Sequence, residues 1–185
     1  VIIAGMGGDL ICKILKAKPE FLIEGKEFIL QPQSEWFKIR RLLKEYHYQI
    51  EKEWFLKEDG KYYVIIKAEP AWTQPQRLKH QEPSIHEYIK EISEIPVNQA
   101  VSEKDMESIY EQYGKYLIET KNPVLKEYLE KEITKKESIA AELKQSIKEI
   151  ESEELSGKER GNIAKRQRRY QEIQKEIRDM RKAIG

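Results

Sequence analysis

In the stretch VIIAGMGGDL, residues 1–10, an apolar run leads directly into a glycine-rich turn. A continuous apolar run of this kind is typical of a parallel strand that is buried on both faces. Asp9 is predicted to cap a following helix, whose apolar residues recur at helical spacing. These apolar residues are Leu10, Ile11, Ile14 and Leu15. The stretch therefore predicts a strand, a turn and a helix, which is the repeating unit of an α/β fold.

The same order recurs in the next part of the chain. The run EFILQP, residues 27–32, predicts a second strand, and Ser34 is predicted to cap the helix after it. Two β-rich runs then follow, at residues 49–56 and 62–68, with the sequence EDGK between them. Because Asp-Gly between apolar runs is a strong hairpin signal, we expect parallel strands that end in an antiparallel hairpin.

The remainder of the chain divides into an irregular and a helical part. Four prolines fall within residues 70–105, where we expect an irregular segment with a short helix around 84–94 and a new helix start at 102–105. From Pro123 onward, apolar residues recur at heptad spacing through two helices that are separated by a break at Ser156 and Gly157. This pattern predicts an antiparallel coiled-coil hairpin, with pairing between two chains left open. The predicted domains are residues 1–120 and 121–185.

Composition narrows the class of protein. The chain has 34 basic and 33 acidic residues, so a net charge of +1 argues against a generally basic surface but allows a local basic patch. A single cysteine, Cys12, cannot form an internal disulfide, which favours a cytoplasmic protein. The three histidines are scattered, and no apolar run approaches the roughly 20 residues of a membrane span. We therefore expect no metal site and no membrane partner.

Three motifs resemble one enzyme family, the TrmK-type tRNA (adenine-N1)-methyltransferases. They are IAGMGG at residues 3–8, LQP at 30–32, and Glu53 followed by EDGK at 58–61 and by Tyr63. The resemblance implies a Rossmann-like domain that binds S-adenosylmethionine, a C-terminal coiled coil, and methylation of N1 of adenine 22 in bacterial tRNA. The family's cofactor loop and ribose-binding acidic residue precede these motifs. The chain would thus be the second half of such a domain, starting at its fourth strand and inactive alone. Gln33 departs from the expected Asn.

The glycine-rich turn is the predicted site of chemistry. In open parallel sheets, ligands bind at the carboxyl ends of the strands. With the resemblance, Gly5, Met6, Gly7 and Gly8 are predicted to form the catalytic wall that faces a flipped adenine, and Ala4, Gly5 and Met6 to contact the cofactor. Leu10 stands where a dinucleotide-binding fingerprint needs its last glycine, which disfavours an oxidoreductase. A strand-to-helix turn without any ligand remains the alternative.

Eight further side chains are predicted to contact tRNA, four in each part of the chain. They are Gln31, Arg40, Arg41, Tyr63, Lys165, Arg166, Arg168 and Arg169. A basic segment in a near-neutral chain fits an RNA backbone, and such binding weakens steeply with salt. The alternatives are a solvated helix face for the arginines, a core position for the tyrosine and an ordinary coiled-coil surface. The second hypothesis for function is a non-enzymatic RNA-binding or protein-interaction module. Self-association through the coiled coil is left open.

Overall fold

The computed structural model describes residues 1–71, 97–151 and 157–185. The chain divides into two compact units, Val1–Asn122 and Pro123–Gly185. The short helix predicted around residues 84–94 lies outside the described residues.

The first unit combines a sheet with helices. Its strands are β1 (Ile2–Met6), β2 (Phe28–Pro32), β3 (Tyr48–Glu58) and β4 (Lys61–Pro70). Its helices are α1 (Gly8–Ala17), α2 (Pro19–Glu24), α3 (Trp36–Glu45), α4 (Val97–Tyr113) and α5 (Lys115–Glu119). Up to α3 the order follows the predicted alternation of strand and helix, except that α2 is an additional short helix that the sequence did not predict. The hairpin of β3 and β4 follows.

The four strands form one mixed sheet in the order β1-β2-β4-β3. β1 and β2 are parallel, while β4 is antiparallel to both of its neighbours. The β3–β4 turn is formed by Asp59 and Gly60, whose φ angles of 47° and 76° are both positive. Positive φ at both central residues is the type I′ condition, which suits the twist of a hairpin. The predicted hairpin is confirmed, but the sequence did not predict that β4 would lie between β2 and β3.

The two faces of the sheet are buried to different extents. On one face, Phe28, Leu30, Phe55, Val64, Ile66 and Ala68 are fully buried. On the other face, Ile29, Trp54 and Ile65 are half-buried and Leu56 is exposed. In the described part of the chain β1 pairs with β2 alone, and Ile2 on that second face is 74% exposed. The prediction that β1 is buried on both faces is therefore wrong for the described residues, because the second face is open to solvent at Ile2.

Helix boundaries correct three local predictions. α1 begins at Gly8 with Gly7 as its N-cap, so Asp9 lies in the first turn instead of capping the helix. The N-cap of α3 is Glu35 and not Ser34. Residues 97–105 are helical within α4, so the expected irregular segment ends earlier and the helix starts five residues before the predicted position. The first two differences are one or two residues in size, which is the usual uncertainty of a helix end.

The second unit consists of two long helices, α6 (Pro123–Glu151) and α7 (Gly157–Ile184). Pro123 occupies the first turn of α6, where its missing N–H costs no helical hydrogen bond. Lys136 pairs with Glu176, and Arg166 Nη1 donates to Ser146 Oγ at 2.9 Å, so the helices run antiparallel. Most of the predicted apolar residues are buried, among them Leu125, Leu129, Ile133, Ile147, Ile173 and Ile177, while Leu143, Ile150, Tyr170 and Ile184 are half-buried. No helix in the described ranges has both the length and the apolar character that a membrane span requires.

Candidate active site

The glycine turn, residues 5–8, lies at the carboxyl end of β1. The β1–β2 register slips between Ala4 and Met6, so Gly5 forms a bulge with a φ of 78°. Glycine adopts this φ without the clash that a Cβ atom causes in other residues. A Cβ on Gly5 would have no atom within 4 Å, which means that its outer side is open. Gly5 and Met6 are both exposed.

The other half of the glycine turn is locked to a partner turn, residues 33–35, at the end of β2. Gly8 N–H donates to the Ser34 carbonyl oxygen at 2.9 Å. Gly8 is buried, and a Cβ atom there would lie 2.6 Å from the Glu35 carbonyl oxygen. Gly7 is half-buried, and its Cβ position is 3.1 Å from Ser34 Oγ. Gly8 is therefore a packing position and does not belong to the predicted open wall, which reduces to Gly5 and Met6.

Charged side chains surround the start of α1. Asp9 forms ion pairs with Lys13 at 2.7 Å and with Lys38 at 2.8 Å. These two lysines lower the pKa of Asp9 from 3.8 to about 2. Asp9 N–H donates to Glu35 Oε2 at 3.2 Å. The Asp9 carboxylate is thus ionised at neutral pH and paired with two lysines. Because its pKa is low, it is a poor candidate for a general base.

Gln31 connects the end of β2 to the bulge. Its Oε1 accepts a hydrogen bond from Gly5 N–H at 2.8 Å. Because a backbone N–H requires an oxygen acceptor, this bond fixes the orientation of the amide. The Gln31 Nε2 atom is buried and has no hydrogen-bond partner among the described residues. The structure therefore places Gln31 at the predicted site, in contact with the glycine turn.

Tyr63 lies at the same end of the sheet as the glycine turn. β4 runs antiparallel to β2 with Leu30 opposite Ile66, so residues before Ile66 approach the carboxyl end of β2. Tyr63 is half-buried. Its position is compatible with the predicted contact to a base and equally with a packing role.

The structure corrects the prediction for Arg40. Its side chain is only 4% exposed, and Nε donates to Glu53 Oε1 at 2.7 Å. Nη1 donates to the carbonyl oxygens of Glu111 and Gln112, at 3.1 and 2.9 Å. The prediction that Arg40 contacts RNA is wrong because a buried guanidinium that binds protein carbonyls cannot reach a phosphate. Arg41, in contrast, has a side chain that is 64% exposed, and it pairs with Glu111.

The basic cluster on α7 divides into two kinds of side chain. Arg166 is half-buried against α6 and binds Ser146, while Arg169 pairs with Glu172 at 3.2 Å and with Glu176 at 3.5 Å. Lys165 and Arg168 are exposed, and neither forms an ion pair within the described ranges. Of the four predicted residues, these two are the most available to a partner.

Two acidic residues of unit 1 have contacts that the sequence did not predict: Glu35, which no motif includes, and Glu53, which enters only as part of a family motif. Glu53 lies two residues before Phe55 and shares the buried face of β3 with it. A carboxylate at such a position requires a cationic partner. That spacing was an available signal. No sequence signal identified Glu35, because its contact with Asp9 depends on the three-dimensional approach of two turns. No group of three or more potential metal ligands occurs in the part of the chain that the structure describes.

Comparison with known proteins places these features in a family. The family model described as TrmK, tRNA (adenine(22)-N(1))-methyltransferase, matches residues 1–95, which contain the glycine turn and the whole sheet. The chain belongs to the TrmK family. A tRNA (adenine(22)-N(1))-methyltransferase of Bacillus subtilis (strain 168) is 42% identical over 69 residues, covering 37% of this chain and 29% of that protein.

Solved structures extend the comparison to the fold. The crystal structure of the B. subtilis M1A22 tRNA methyltransferase TrmK matches with a TM-score of 0.62 and 23% identity, covering 100% of this chain and 62% of that one. M. capricolum TrmK in complex with S-adenosyl-homocysteine matches with a TM-score of 0.57 and 20% identity, covering 100% and 58%. The chain has an α/β methyltransferase fold. It spans less than two thirds of the length of each of these relatives.

Proposed function

We propose that the protein containing this chain transfers a methyl group from S-adenosylmethionine to N1 of adenine 22 in bacterial tRNA. Membership of the TrmK family supports this activity. The structural observation that carries the proposal is the glycine turn, in which Gly5 and Met6 are open while Gly8 is locked to the next turn. An exposed backbone on a rigid support suits a wall against which a flat base is positioned.

The chemistry of N1 methylation agrees with the groups around this turn. The N1 lone pair of neutral adenine is free, so the attack on the methyl carbon needs no strong base. The only acidic side chain in the first turn of α1 is Asp9, which is held by Lys13 and Lys38. The methylated ring gains positive charge, which a backbone carbonyl facing it would stabilise. What the protein must supply is orientation and exclusion of water.

The described residues fit one wall of the cofactor site. S-adenosylmethionine, when bound, supplies the electrophilic methyl group. Ala4, Gly5 and Met6 are exposed at the carboxyl end of β1 and would line it. The acidic side chains described beside them, Asp9 and Glu35, are both paired with Lys38, so neither is free to bind a ribose. The remaining contacts would come from elsewhere in the protein.

We further propose that unit 1 is the second half of a Rossmann-like domain, with domains close to residues 1–120 and 121–185. The open edge of β1 and the half-buried second face of the sheet, where Ile2 is exposed, support this arrangement. In unit 2, the heptad-spaced buried residues support a coiled-coil hairpin. We place the enzyme in the cytoplasm, where its substrate is found, and self-association through the coiled coil stays a prediction.

The decisive experiment is a methylation assay with the full-length protein. We expect methyl transfer to tRNA with adenine 22 and none to the guanine 22 variant, with N1-methyladenosine identified by mass spectrometry. Equal labelling of both substrates would contradict the site, and no labelling of either would favour the non-enzymatic binding module.

A matched pair of glycine variants tests the role of the turn itself. Gly5 and Gly60 have φ angles of 78° and 76°, and a Cβ on either would meet no atom within 4 Å. Alanine therefore imposes a similar strain, about 1–2 kcal/mol, at both positions. We expect Gly5→Ala to lower kcat at least about tenfold, because a reacting group that is displaced slightly reacts much more slowly. Gly60→Ala should keep kcat within about twofold, since it lies in the β3–β4 turn. Equal kcat for the two variants would remove the glycine turn from the mechanism.

The α7 surface provides a second test, which concerns tRNA binding. Arg168 and Arg169 are adjacent and of the same type, but among the described residues only Arg169 pairs with carboxylates. We expect Arg168→Gln to weaken tRNA binding and to reduce the slope of log Kd against log salt by about one. Arg169→Gln should have a smaller effect. Identical salt slopes for both variants and wild type would assign this surface to helix packing alone.

A further inference from the structure

Glu35 joins the two turns at the candidate site. It has a left-handed backbone, with a φ of 53°, and is the N-cap of α3. Its Oε2 accepts the hydrogen bond from Asp9 N–H in the first turn of α1 at 3.2 Å. Its Oε1 is 2.5 Å from Lys38 Nζ, and the same ammonium is 2.8 Å from Asp9 Oδ1. One side chain thus connects the start of α1 to the start of α3.

In this arrangement, groups of the chain itself accept hydrogen bonds from the first N–H groups of α1, at the positive end of the helix. The first N–H groups of a helix lack helical acceptors, and the helix dipole favours an anion there. In many α/β proteins a ligand phosphate occupies such a position after a glycine-rich turn. Here Gly8 N–H is taken by the Ser34 carbonyl oxygen and Asp9 N–H by the Glu35 carboxylate. The accessible part of the turn is therefore Gly5 and Met6, on the strand side.

Successive hydrogen bonds connect the glycine turn, residues 5–8, to the partner turn, residues 33–35. Gln33 N–H donates to the Met6 carbonyl oxygen at 2.8 Å, directly at the open residue. Gly8 and Glu35 are in close backbone contact two residues later. The Glu35 carboxylate makes the last connection, to Asp9. A movement of α1 away from α3 would therefore break these bonds and shift Met6.

We propose that Glu35 is a positioning residue for methyl transfer, holding the glycine turn by binding the N-terminus of α1. This inference rests on the proposed function. Glu35 acts through Asp9 N–H and the partner turn and not by contact with the substrate. What it contributes is an oxygen acceptor at a fixed place, so an uncharged acceptor of the same shape should replace it.

Three variants of the full-length protein test the proposal. Glu35→Gly removes the carboxylate and accepts the positive φ without strain, while Glu35→Gln keeps an oxygen acceptor but loses the charge. Glu45→Gln is the matched control, because Glu45 is also a carboxylate of α3 that pairs with a lysine of α1, Lys16 at 3.0 Å, but at the other end of both helices. We expect kcat to fall about tenfold in Glu35→Gly with KM for tRNA within about twofold. In Glu35→Gln and Glu45→Gln, kcat should stay within about threefold of wild type.

Hydrogen exchange at the Gly8 and Asp9 amides gives a readout that does not depend on activity. We expect faster exchange at both amides in Glu35→Gly and wild-type exchange in Glu45→Gln. Unchanged kcat in Glu35→Gly, or an equal loss of kcat in Glu35→Gly and Glu35→Gln, would overturn the positioning role. A wild-type protein that transfers no methyl group would instead overturn the proposed function, and the exchange rates would still report whether Glu35 holds the turn.

Discussion

Helix α3 carries two clusters of opposite charges that differ mainly in burial. At its start, Lys38 and Asp9 have side chains that are 33% and 42% exposed. In its middle, Arg40 and Glu53 have side chains that are 4% and 1% exposed. The nitrogen–oxygen distances are nearly equal, at 2.8 and 2.7 Å. The pKa values move in opposite directions, because Lys13 and Lys38 lower the pKa of Asp9 while burial raises the pKa of Glu53.

The buried cluster shows what burial costs a charged pair. Arg40 Nη2 and Glu53 Oε2 have no hydrogen-bond partner among the described residues. Gly114, between α4 and α5, approaches both groups, since a Cβ there would lie 2.4 Å from Glu53 Oε2 and 2.9 Å from Arg40 Nη2. In the interior, the loss of hydration opposes the attraction between the charges. The comparison indicates that the buried cluster serves the structure, while the exposed cluster remains in contact with solvent.

The largest effect is expected from breaking the buried pair. Glu53→Ala leaves the Arg40 guanidinium buried without its carboxylate, and we expect the free energy of unfolding to fall by about 3–5 kcal/mol. Urea unfolding of the full-length protein, followed by circular dichroism, measures this loss. Glu53→Gln, which keeps an acceptor for Arg40 Nε, should lose less. A decrease below about 1 kcal/mol for Glu53→Ala would contradict the assignment of the pair to the core.

The next effect is expected at Gly114, where the backbone and the space above it both require glycine. Its φ is 93°, and the added methyl group of Gly114→Ala would overlap Glu53. We expect a loss of roughly 2–3 kcal/mol, from backbone strain together with overpacking. Gly60→Ala is the control, because it has a similar φ but open space around the added atom. Equal losses for the two variants would show that the contact with Glu53 contributes nothing.

Local patterns predicted more of the molecule than contacts between distant residues did. The hairpin follows from Asp59 and Gly60, whose turn geometry depends on neighbouring residues alone. The buried residues of α6 and α7 follow from heptad spacing, which is a property of each helix by itself. The position of β4 between β2 and β3 depends on pairing between strands that are far apart in sequence, and no local pattern specifies it.

In the candidate site, too, the local turn was predicted and the contacts between distant residues were not. The strand-turn-helix order placed Gly5 and Met6 correctly at the end of β1, because glycines mark such a turn. Arg40 was assigned to RNA as a basic residue of a helix that could meet phosphate, although it lies next to Ile39 and three residues before Leu43, on the apolar face of α3. In the same way, Glu53 lies two residues from the buried Phe55 and on the same face of β3. Charged residues in phase with the core were the signal for a buried pair.

The smallest effect is expected at the exposed cluster, and it depends on pH. The pKa of Asp9 is about 2 in the folded protein and 3.8 ordinarily, so the folded state favours the ionised carboxylate. Its contribution to stability is therefore complete above about pH 4 and is lost as the pH falls towards 2. Asp9→Asn should lower stability slightly at pH 6 and make the decline of stability between pH 4 and pH 2 less steep. Urea unfolding at several pH values measures both changes.

The effect of added salt on stability should distinguish this exposed cluster from the buried one. Because Asp9 and Lys13 are in contact with solvent, 0.5 M NaCl should reduce the difference between Asp9→Asn and wild type at pH 6. The same salt should leave the loss in Glu53→Ala nearly unchanged, since ions do not enter the core. Lys13→Gln removes one partner of Asp9 and should retain part of the pH dependence through Lys38. If salt changed the Glu53→Ala loss as much as the Asp9→Asn loss, burial would not be the property that distinguishes the two clusters.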